Sequence, residues 1–175
     1  PFSSLIKLLA GVDQRRPMPK FRAKGSAKSQ ATQVPKHEIP SAGPVAVWVD
    51  SFTDAFEGAS VTALVQVLHA AGFDPYVIQE HACCGVSWIT TGQLDAARKQ
   101  QQNALGVLYP IAKSGVPIVG MEPSCMATWR SDALELNPDD DFPQFAQAAA
   151  LKVIGDSSKD PRAILICGGG QGMCM

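Results

Sequence analysis

Long apolar runs and a leader segment are missing from this sequence. No run approaches the roughly 18 apolar residues that a membrane-spanning helix requires, which argues against an integral membrane protein. The chain begins at Pro1 without an initiating Met or a basic-then-apolar leader, so we expect a piece of a longer protein rather than a secreted precursor. Charge is also low, with 18% charged residues against 46% hydrophobic ones in 175 residues. That balance and length predict one α/β domain with its own core.

The basic amino-terminal segment lacks interleaved aromatic residues and any motif that reads nucleic acid. Residues 1–40 carry eight Lys and Arg against two acids, a net charge of +6, whereas residues 41–175 carry seven against fourteen, a net charge of −7. Residues 15–40 are rich in Pro, Ser and Lys, which predicts a linker with little structure. Nucleic acid binding is the alternative for such a basic stretch. Without a reading motif, we expect no nucleic acid partner.

Cysteine is sparse, and no two cysteines have the C-x-x-C spacing. The chain has five, an odd number, which together with the missing leader argues for a reducing compartment where thiols act as ligands or reactive groups. Three of them fall in two motifs, Cys-Cys-Gly at residues 83–85 and Glu-Pro-Ser-Cys at residues 122–125. The absence of C-x-x-C and of a positioned base weighs against a thiol redox enzyme with Cys83 or Cys84 as nucleophile.

Short apolar runs separated by helical periodicities predict a parallel sheet. Runs at residues 45–49, 76–79 and 117–120 predict three strands, and the first should be buried on both faces. A fourth strand is predicted at residues 163–166. The fold class is therefore α/β, a three-layer parallel sheet of about four strands with flanking helices.

Three segments follow from this pattern. Residues 1–43 are the end of a preceding domain and a basic linker, residues 44–137 the α/β unit, and residues 138–175 a helix, a possible strand and a Gly-rich terminus. Within the α/β unit, Thr90 or Thr91 is predicted to cap a long helix that Gly115 ends.

Both cysteine motifs follow a predicted strand and precede a predicted helix. Since ligand sites of parallel sheets form where strands end, we predict that Cys83, Cys84 and Cys125 lie together at the carboxyl edge. Gly85 gives the pair backbone freedom, and the first turn of a helix favours the thiolate form of Cys125. This pattern indicates soft-metal or redox chemistry, with simple packing of buried thiols as the alternative. Glu122 is a candidate general base. A Glu at this position more commonly accepts hydrogen bonds from the free backbone N–H groups at the start of a helix.

With these motifs, residues 44–137 resemble the cysteine-rich CCG domain of iron–sulfur oxidoreductases. The likeness extends to residues 50–53, the Gly-Phe turn at residues 72–73 and the segment at residues 92–98. The family includes one subunit of heterodisulfide reductase, the iron–sulfur subunits of glycolate oxidase and anaerobic glycerol-3-phosphate dehydrogenase, and FAD-linked D-lactate dehydrogenases. The segment before residue 40 is similar to the connection that leaves a ferredoxin-type domain in fused FAD-linked oxidases.

The resemblance implies that Cys83, Cys84 and Cys125 are ligands of an iron–sulfur cluster of the 4Fe–4S type, with zinc as the alternative metal. It implies a relay of electrons from an FAD-containing 2-hydroxy acid dehydrogenase to an acceptor at the membrane. The flavin and ferredoxin-like domains would lie elsewhere in the parent chain or complex. We expect a cytoplasmic protein, peripheral at the inner face of the membrane when intact. The alternative is a noncatalytic docking domain that holds zinc or no metal.

Compared with the family, the ligand set is incomplete. Fully liganded members have another Cys where this chain has the Ser51 region, and some have one where it has Thr128. A second CCG copy is not visible, and Cys167 and Cys174 match no family position. His81 is near enough to complete a set, although a lone His is more often a hydrogen-bonded structural residue. We predict no catalytic or flavin-binding residue here, and an isolated chain that is metal-free and lacks dehydrogenase activity.

Overall fold

The computed structural model describes residues 2–17, 41–56 and 58–138 of the chain. Most of the predicted linker, the predicted fourth strand and the Gly-rich terminus with Cys167 and Cys174 lie outside the described residues. The division of the chain into three segments therefore stays a prediction.

Three parallel strands form the sheet of the described region. They are β1 (Pro44–Trp48), β2 (Asp74–Val77) and β3 (Ile118–Gly120), in the order β2-β1-β3. In the register, Val47 of β1 is opposite Val77 on one side and Val119 on the other. The α/β class and the parallel sheet are confirmed. The second strand begins earlier than predicted, at Asp74, because its backbone continues the pairing that starts at Pro44.

Seven helices accompany the sheet in the described residues: α1 (Phe2–Leu9), α2 (Ser51–Phe56), α3 (Gly58–Ala70), α4 (Val86–Thr90), α5 (Leu94–Lys113), α6 (Pro123–Arg130) and α7 (Asp132–Leu136). Within this part of the chain, none of them has the length and apolarity of a membrane span.

The predicted Thr cap of the long helix is wrong. Thr91 instead closes α4, where its hydroxyl donates to the carbonyl of Ser87 at 2.9 Å. Gly92 then takes a φ of +74°, which interrupts the helical backbone, and α5 begins only after Gln93. The extra short helix places residues 86–90 between the cysteine motif and α5.

Side chains of β1 alternate between two apolar layers. Val45 and Val47, together with Val49 just after the strand, pack with the buried face of α3, whereas Ala46 and Trp48 pack with α5 and α6 on the opposite side. The central strand is thus buried on both faces, as its unbroken apolar run predicts.

The strand order reverses at β1. The connection from β1 to β2 contains α3, which packs on one face, and the connection from β2 to β3 contains α5, which packs on the other. In open parallel sheets, such a reversal leaves a crevice at the carboxyl ends of the strands that diverge from it. Here those strands are β1 and β3, so residues that follow Trp48 and Gly120 lie at the expected ligand position.

Candidate thiol site at the carboxyl edge of the sheet

The Cys-Cys-Gly loop after β2 is held by buried side chains from two other elements. Trp48 Nε1 donates to the carbonyl of Ala82 at 2.8 Å, and Gln101 Nε2 donates to the carbonyl of Cys84 at 3.2 Å. Gly85 ends the loop with a φ of +81°, and a Cβ there would lie 3.1 Å from the carbonyl oxygen of Ala97. The glycine is therefore required both by its backbone angle and by the close approach of α5.

The first turn of α6 carries Cys125 into the same place. Glu122 caps this helix, since its Oε1 accepts from the backbone N–H of Ser124 at 3.1 Å and from the Ser124 hydroxyl at 2.8 Å. Pro123 occupies the first helical turn, where its missing N–H costs nothing. This is the helix-start role that the sequence favours for Glu122, and it fixes the orientation of the turn that contains Cys125.

Cys84 and Cys125 are in direct contact. The Cys84 thiol donates to the Cys125 sulfur with 2.9 Å between the two Sγ atoms, and the side chains are 1% and 7% exposed. Cys84 follows β2 and Cys125 follows β3, and the fold alone brings the two residues together.

Cys83 extends this contact toward solvent. Its half-buried thiol hydrogen-bonds with Cys84 and with Ser51, and Ser51 Oγ lies 3.3 Å from His81 Nε2. Ser51 and His81 are exposed, whereas Cys84 and Cys125 are buried. Five side chains therefore form one line of polar contacts that leads from the surface to the buried pair. We call the set of Cys83, Cys84, Cys125, Ser51 and His81 the thiol site.

In this arrangement the thiols of Cys83 and Cys84 hold their protons. The hydrogen bond with Cys125, assisted by burial, raises the pKa of Cys84 to about 12. The pKa of Cys83 is also raised, above all by its hydrogen bond with Cys84 and then by burial. Since the thiolate is the metal ligand, any ion that binds here must displace protons from these sulfurs.

The structure limits what the thiol site can be as it stands. Within the described residues, no group of three or more His, Cys, Asp or Glu side chains has the arrangement of a metal site. Zn–S bonds are about 2.3 Å long, so two thiolates on one tetrahedral ion lie about 3.8 Å apart. Cys84 and Cys125 would have to separate by about 1 Å to share an ion. The ligand role of the three cysteines accordingly stays a prediction.

Thr128 takes no part in the thiol site. It is buried, and its hydroxyl donates to the carbonyl of Ser124 at 2.9 Å within α6. Some CCG-domain members have a second Cys at this position, whereas Thr128 here hydrogen-bonds within its own helix.

Sequence reasoning missed the polar residues behind the loop. Gln101 is 0% exposed, and its Oε1 accepts from Asn137 Nδ2 at 2.6 Å. The signal was present, because position 101 lies on the apolar face of the helix between Ala97 and Ala104. A polar residue at a core position of a predicted helix needs a buried partner, and here that partner is the cysteine loop.

Comparison with known proteins finds two similar chains. They are one subunit of the anaerobic glycerol-3-phosphate dehydrogenase of Escherichia coli strain K12 and the same subunit from Escherichia coli O157:H7, each 26% identical over 141 residues. The alignment covers 79% of this chain and 35% of each relative, so the chain spans about a third of their length. No family model and no solved structure matches the chain. Both relatives are dehydrogenase subunits, which supports a broad oxidoreductase connection, while membership of the CCG-domain family stays a prediction.

Proposed function

We propose that this chain is the electron-transfer part of an iron–sulfur oxidoreductase, and that Cys83, Cys84 and Cys125 hold its iron–sulfur centre. The observation that carries the proposal is the 2.9 Å contact between the sulfurs of Cys84 and Cys125, which the segments after β2 and β3 bring to the carboxyl edge of the sheet. The distant similarity to a dehydrogenase subunit supports the same class.

The donor set fits an iron–sulfur centre in kind and is one thiol short in number. Such centres are held by Cys thiolates, usually four. Here three thiols are in line, two of them buried, and the fourth neighbour is the hydroxyl of Ser51. When bound, an iron–sulfur centre accepts and releases single electrons.

The chain's own residues would orient and protect that centre. Cys84 and Cys125 form a floor closed to water, and Trp48 and Trp129, packed edge to face at 6.3 Å between ring centres, belong to the apolar layer beneath it. Burial of the ligands lowers the local dielectric and thereby influences the reduction potential. Cys83, beside Ser51 and His81, marks the side open to an electron partner.

In the intact protein, the flavin and the substrate would belong to other domains or subunits. The sequence resemblance suggests a D-lactate or glycolate dehydrogenase, whereas the similar chains belong to a glycerol-3-phosphate dehydrogenase. All three would deliver electrons from a flavin module to this chain, and from here to an acceptor at the inner face of the membrane.

A zinc-binding docking domain is the second candidate, and His81 is the observation that favours it. Its Nε2 lies 3.3 Å from Ser51 Oγ at the exposed end of the thiol site, where an imidazole would supply a fourth ligand to an ion held by the three thiols. Three Cys and one His form a common structural zinc set. In this case the chain would hold zinc and transfer no electrons.

Metal and sulfide analysis of the intact protein, purified without oxygen, distinguishes the two candidates. We expect iron and acid-labile sulfide in stoichiometric amounts, a brown colour, and loss of both in Cys84→Ser and Cys125→Ser. Cys174→Ser, which changes a cysteine that matches no position of the CCG-domain family, should keep the iron. Zinc without sulfide would establish the docking domain, and a protein that binds neither metal would contradict both proposals.

A further inference from the structure

A buried amide lies directly behind the cysteine loop. Gln101 is fully buried in the middle of α5, and both polar atoms of its side chain are used. Nε2 donates to the carbonyl oxygen of Cys84 at 3.2 Å, and Oε1 accepts from Asn137 Nδ2 at 2.6 Å. A fully buried Gln is unusual, and it is tolerated only because both of these bonds form.

The bond to Cys84 acts on the backbone of a thiol residue rather than on its side chain. The carbonyl of Cys84 lies in a loop, where the strand and helix ladders do not supply a partner, and Gln101 supplies one. The loop is also held at Ala82 by Trp48 and pressed against Ala97 at Gly85. Of these three restraints, the bond from Gln101 is the one that reaches Cys84 itself.

We propose that Gln101 is a positioning residue for the thiol site: its amide fixes the Cys84 backbone so that the Cys84 thiol meets Cys125. The inference rests on the proposed metal centre for its functional consequence, and on the two hydrogen bonds for its geometry. Outer partners that orient metal ligands are a general requirement of metal sites.

Asn137 extends the same restraint to the end of α7. Its Nδ2 donates both to Gln101 and to the carbonyl of Ala133, and Arg98 Nε donates to the carbonyl of Leu136 at 2.7 Å. The end of α7 is thereby joined to α5 at two points. Gln101 is thus held from behind by its hydrogen bond with Asn137.

The test compares Gln101→Met with Leu108→Ala in the full chain. Met has nearly the length of Gln and no amide, so it removes the bond to Cys84 while filling the same space. Leu108 is a buried residue of the same helix and the same apolar layer, and its side chain has no group that could hydrogen-bond to the loop's carbonyls. Leu108→Ala therefore shows how much a loss of core stability by itself changes Co²⁺ binding and thiol oxidation.

The first readout is the affinity for Co²⁺, measured from its thiolate charge-transfer absorption against a competing chelator. We expect Gln101→Met to weaken Co²⁺ binding about 10- to 100-fold, as the loss of outer partners does at other metal sites. Leu108→Ala should bind Co²⁺ nearly as tightly as the unmodified chain, although its melting temperature falls at least as much. Equal affinities in Gln101→Met and the unmodified chain would overturn the proposal.

The second readout needs no metal, so it separates this proposal from the proposed function. Diamide oxidises two neighbouring thiols to a disulfide and is itself reduced to the hydrazine. In a Cys83→Ser background, the rate at which Cys84 and Cys125 become linked, followed by peptide mapping, reports how well the two thiols are aligned. We expect Gln101→Met to slow this linkage relative to Leu108→Ala, because a loop no longer held at Cys84 brings the two thiols into contact less often.

An intact protein that binds no Co²⁺ would refute the metal centre, and the diamide rate would still decide the role of Gln101. An unchanged rate in Gln101→Met would overturn that role. Should Gln101→Met not fold, Gln101→Asn replaces it, because the shorter amide cannot span from Asn137 to the carbonyl of Cys84. The same loss of Co²⁺ affinity and of diamide rate is expected for it, and retention of both would count against the proposal.

Discussion

Ser51 decides how many strong ligands the thiol site offers. Its hydroxyl hydrogen-bonds with Cys83 and lies 3.3 Å from His81, so it stands at the end of the line of thiols where a fourth ligand would complete the set. A serine hydroxyl keeps its proton at neutral pH and is a far poorer ligand for iron or zinc than a thiolate. In the proposed metal centre, the identity of one atom, oxygen in place of sulfur, would therefore set the strength of metal binding.

Ser51→Cys should accordingly strengthen metal binding. A thiol at this position supplies the fourth sulfur that iron–sulfur centres usually have, and we expect at least about 10-fold tighter retention of iron after anaerobic reconstitution. Iron and sulfide contents during dialysis against a chelator measure this. Ser114→Cys, which adds a thiol at the exposed end of α5, is the matched control and should leave the retention of iron unchanged. If both variants retain iron equally, Ser51 does not lie at the metal.

The protonation of Cys84 should make the metal-free protein less stable in alkali. The pKa of this thiol is raised from an ordinary value of 9.0 to about 12, first by its hydrogen bond with Cys125 and then by burial. A group with a raised pKa contributes its stability in full below the unfolded-state pKa, and that contribution is lost as the pH rises toward the folded-state pKa. The free energy of unfolding should therefore fall between about pH 9 and about pH 12.

Urea unfolding across that pH range, with and without Cys84, isolates the effect. Cys84→Ala removes the titrating thiol, so its stability should fall less steeply with pH than that of the unmodified chain. Parallel pH profiles for the two proteins would show that Cys84 ionises as easily in the folded state as in the unfolded one.

At the scale of helices and strands, the sequence predicts most of what the sheet requires. The apolar run of β1 and the glycines that end α3 and α5 are local signals, and each element forms close to its expected place. The boundary after the cysteine motif is different. Thr91 looks like a helix cap in sequence, yet its hydroxyl bonds backward to Ser87, because Gly92 allows the backbone to turn before α5 begins. Thr91 and Gly92 thus give competing local signals for where the long helix begins, and only the packing of α4 on α5 decides between them.

Gly85 and Gly92 provide a matched pair for testing that packing. Both have positive φ angles, +81° and +74°, so alanine at either position costs about 1–2 kcal/mol of backbone strain. Only at Gly85 would the new Cβ approach other atoms, the nearest being the carbonyl oxygen of Ala97 at 3.1 Å. We expect Gly85→Ala to lower the free energy of unfolding by about 1 kcal/mol or more beyond the loss in Gly92→Ala. Urea denaturation measures both, and equal losses would mean that α5 does not confine the loop.

At the scale of the whole molecule, the candidate site is a consequence of topology. Each cysteine motif follows a strand, so the convergence of the thiols at the carboxyl edge could be predicted from the parallel sheet alone. The contact between Cys84 and Cys125, the bond from Gln101 and the place of Ser51 beside His81 could not. Those contacts join residues far apart in the sequence, and their distances are set by how α5 and α6 pack on the second apolar layer.

This topology separates a buried thiol pair from an exposed end, which suits a relay between two partners. In the intact protein, substrate would reduce the flavin in another domain, whereas Cys84 would be needed only to pass electrons onward. We therefore expect Cys84→Ser to reduce the steady-state rate of acceptor reduction at least about 100-fold, while substrate still bleaches the flavin at nearly the normal rate. Stopped-flow absorbance and an acceptor assay on the same preparation measure the two half-reactions, with Cys174→Ser as the control. Equal loss of both would assign Cys84 a structural role, and loss of neither would remove this chain from the electron path.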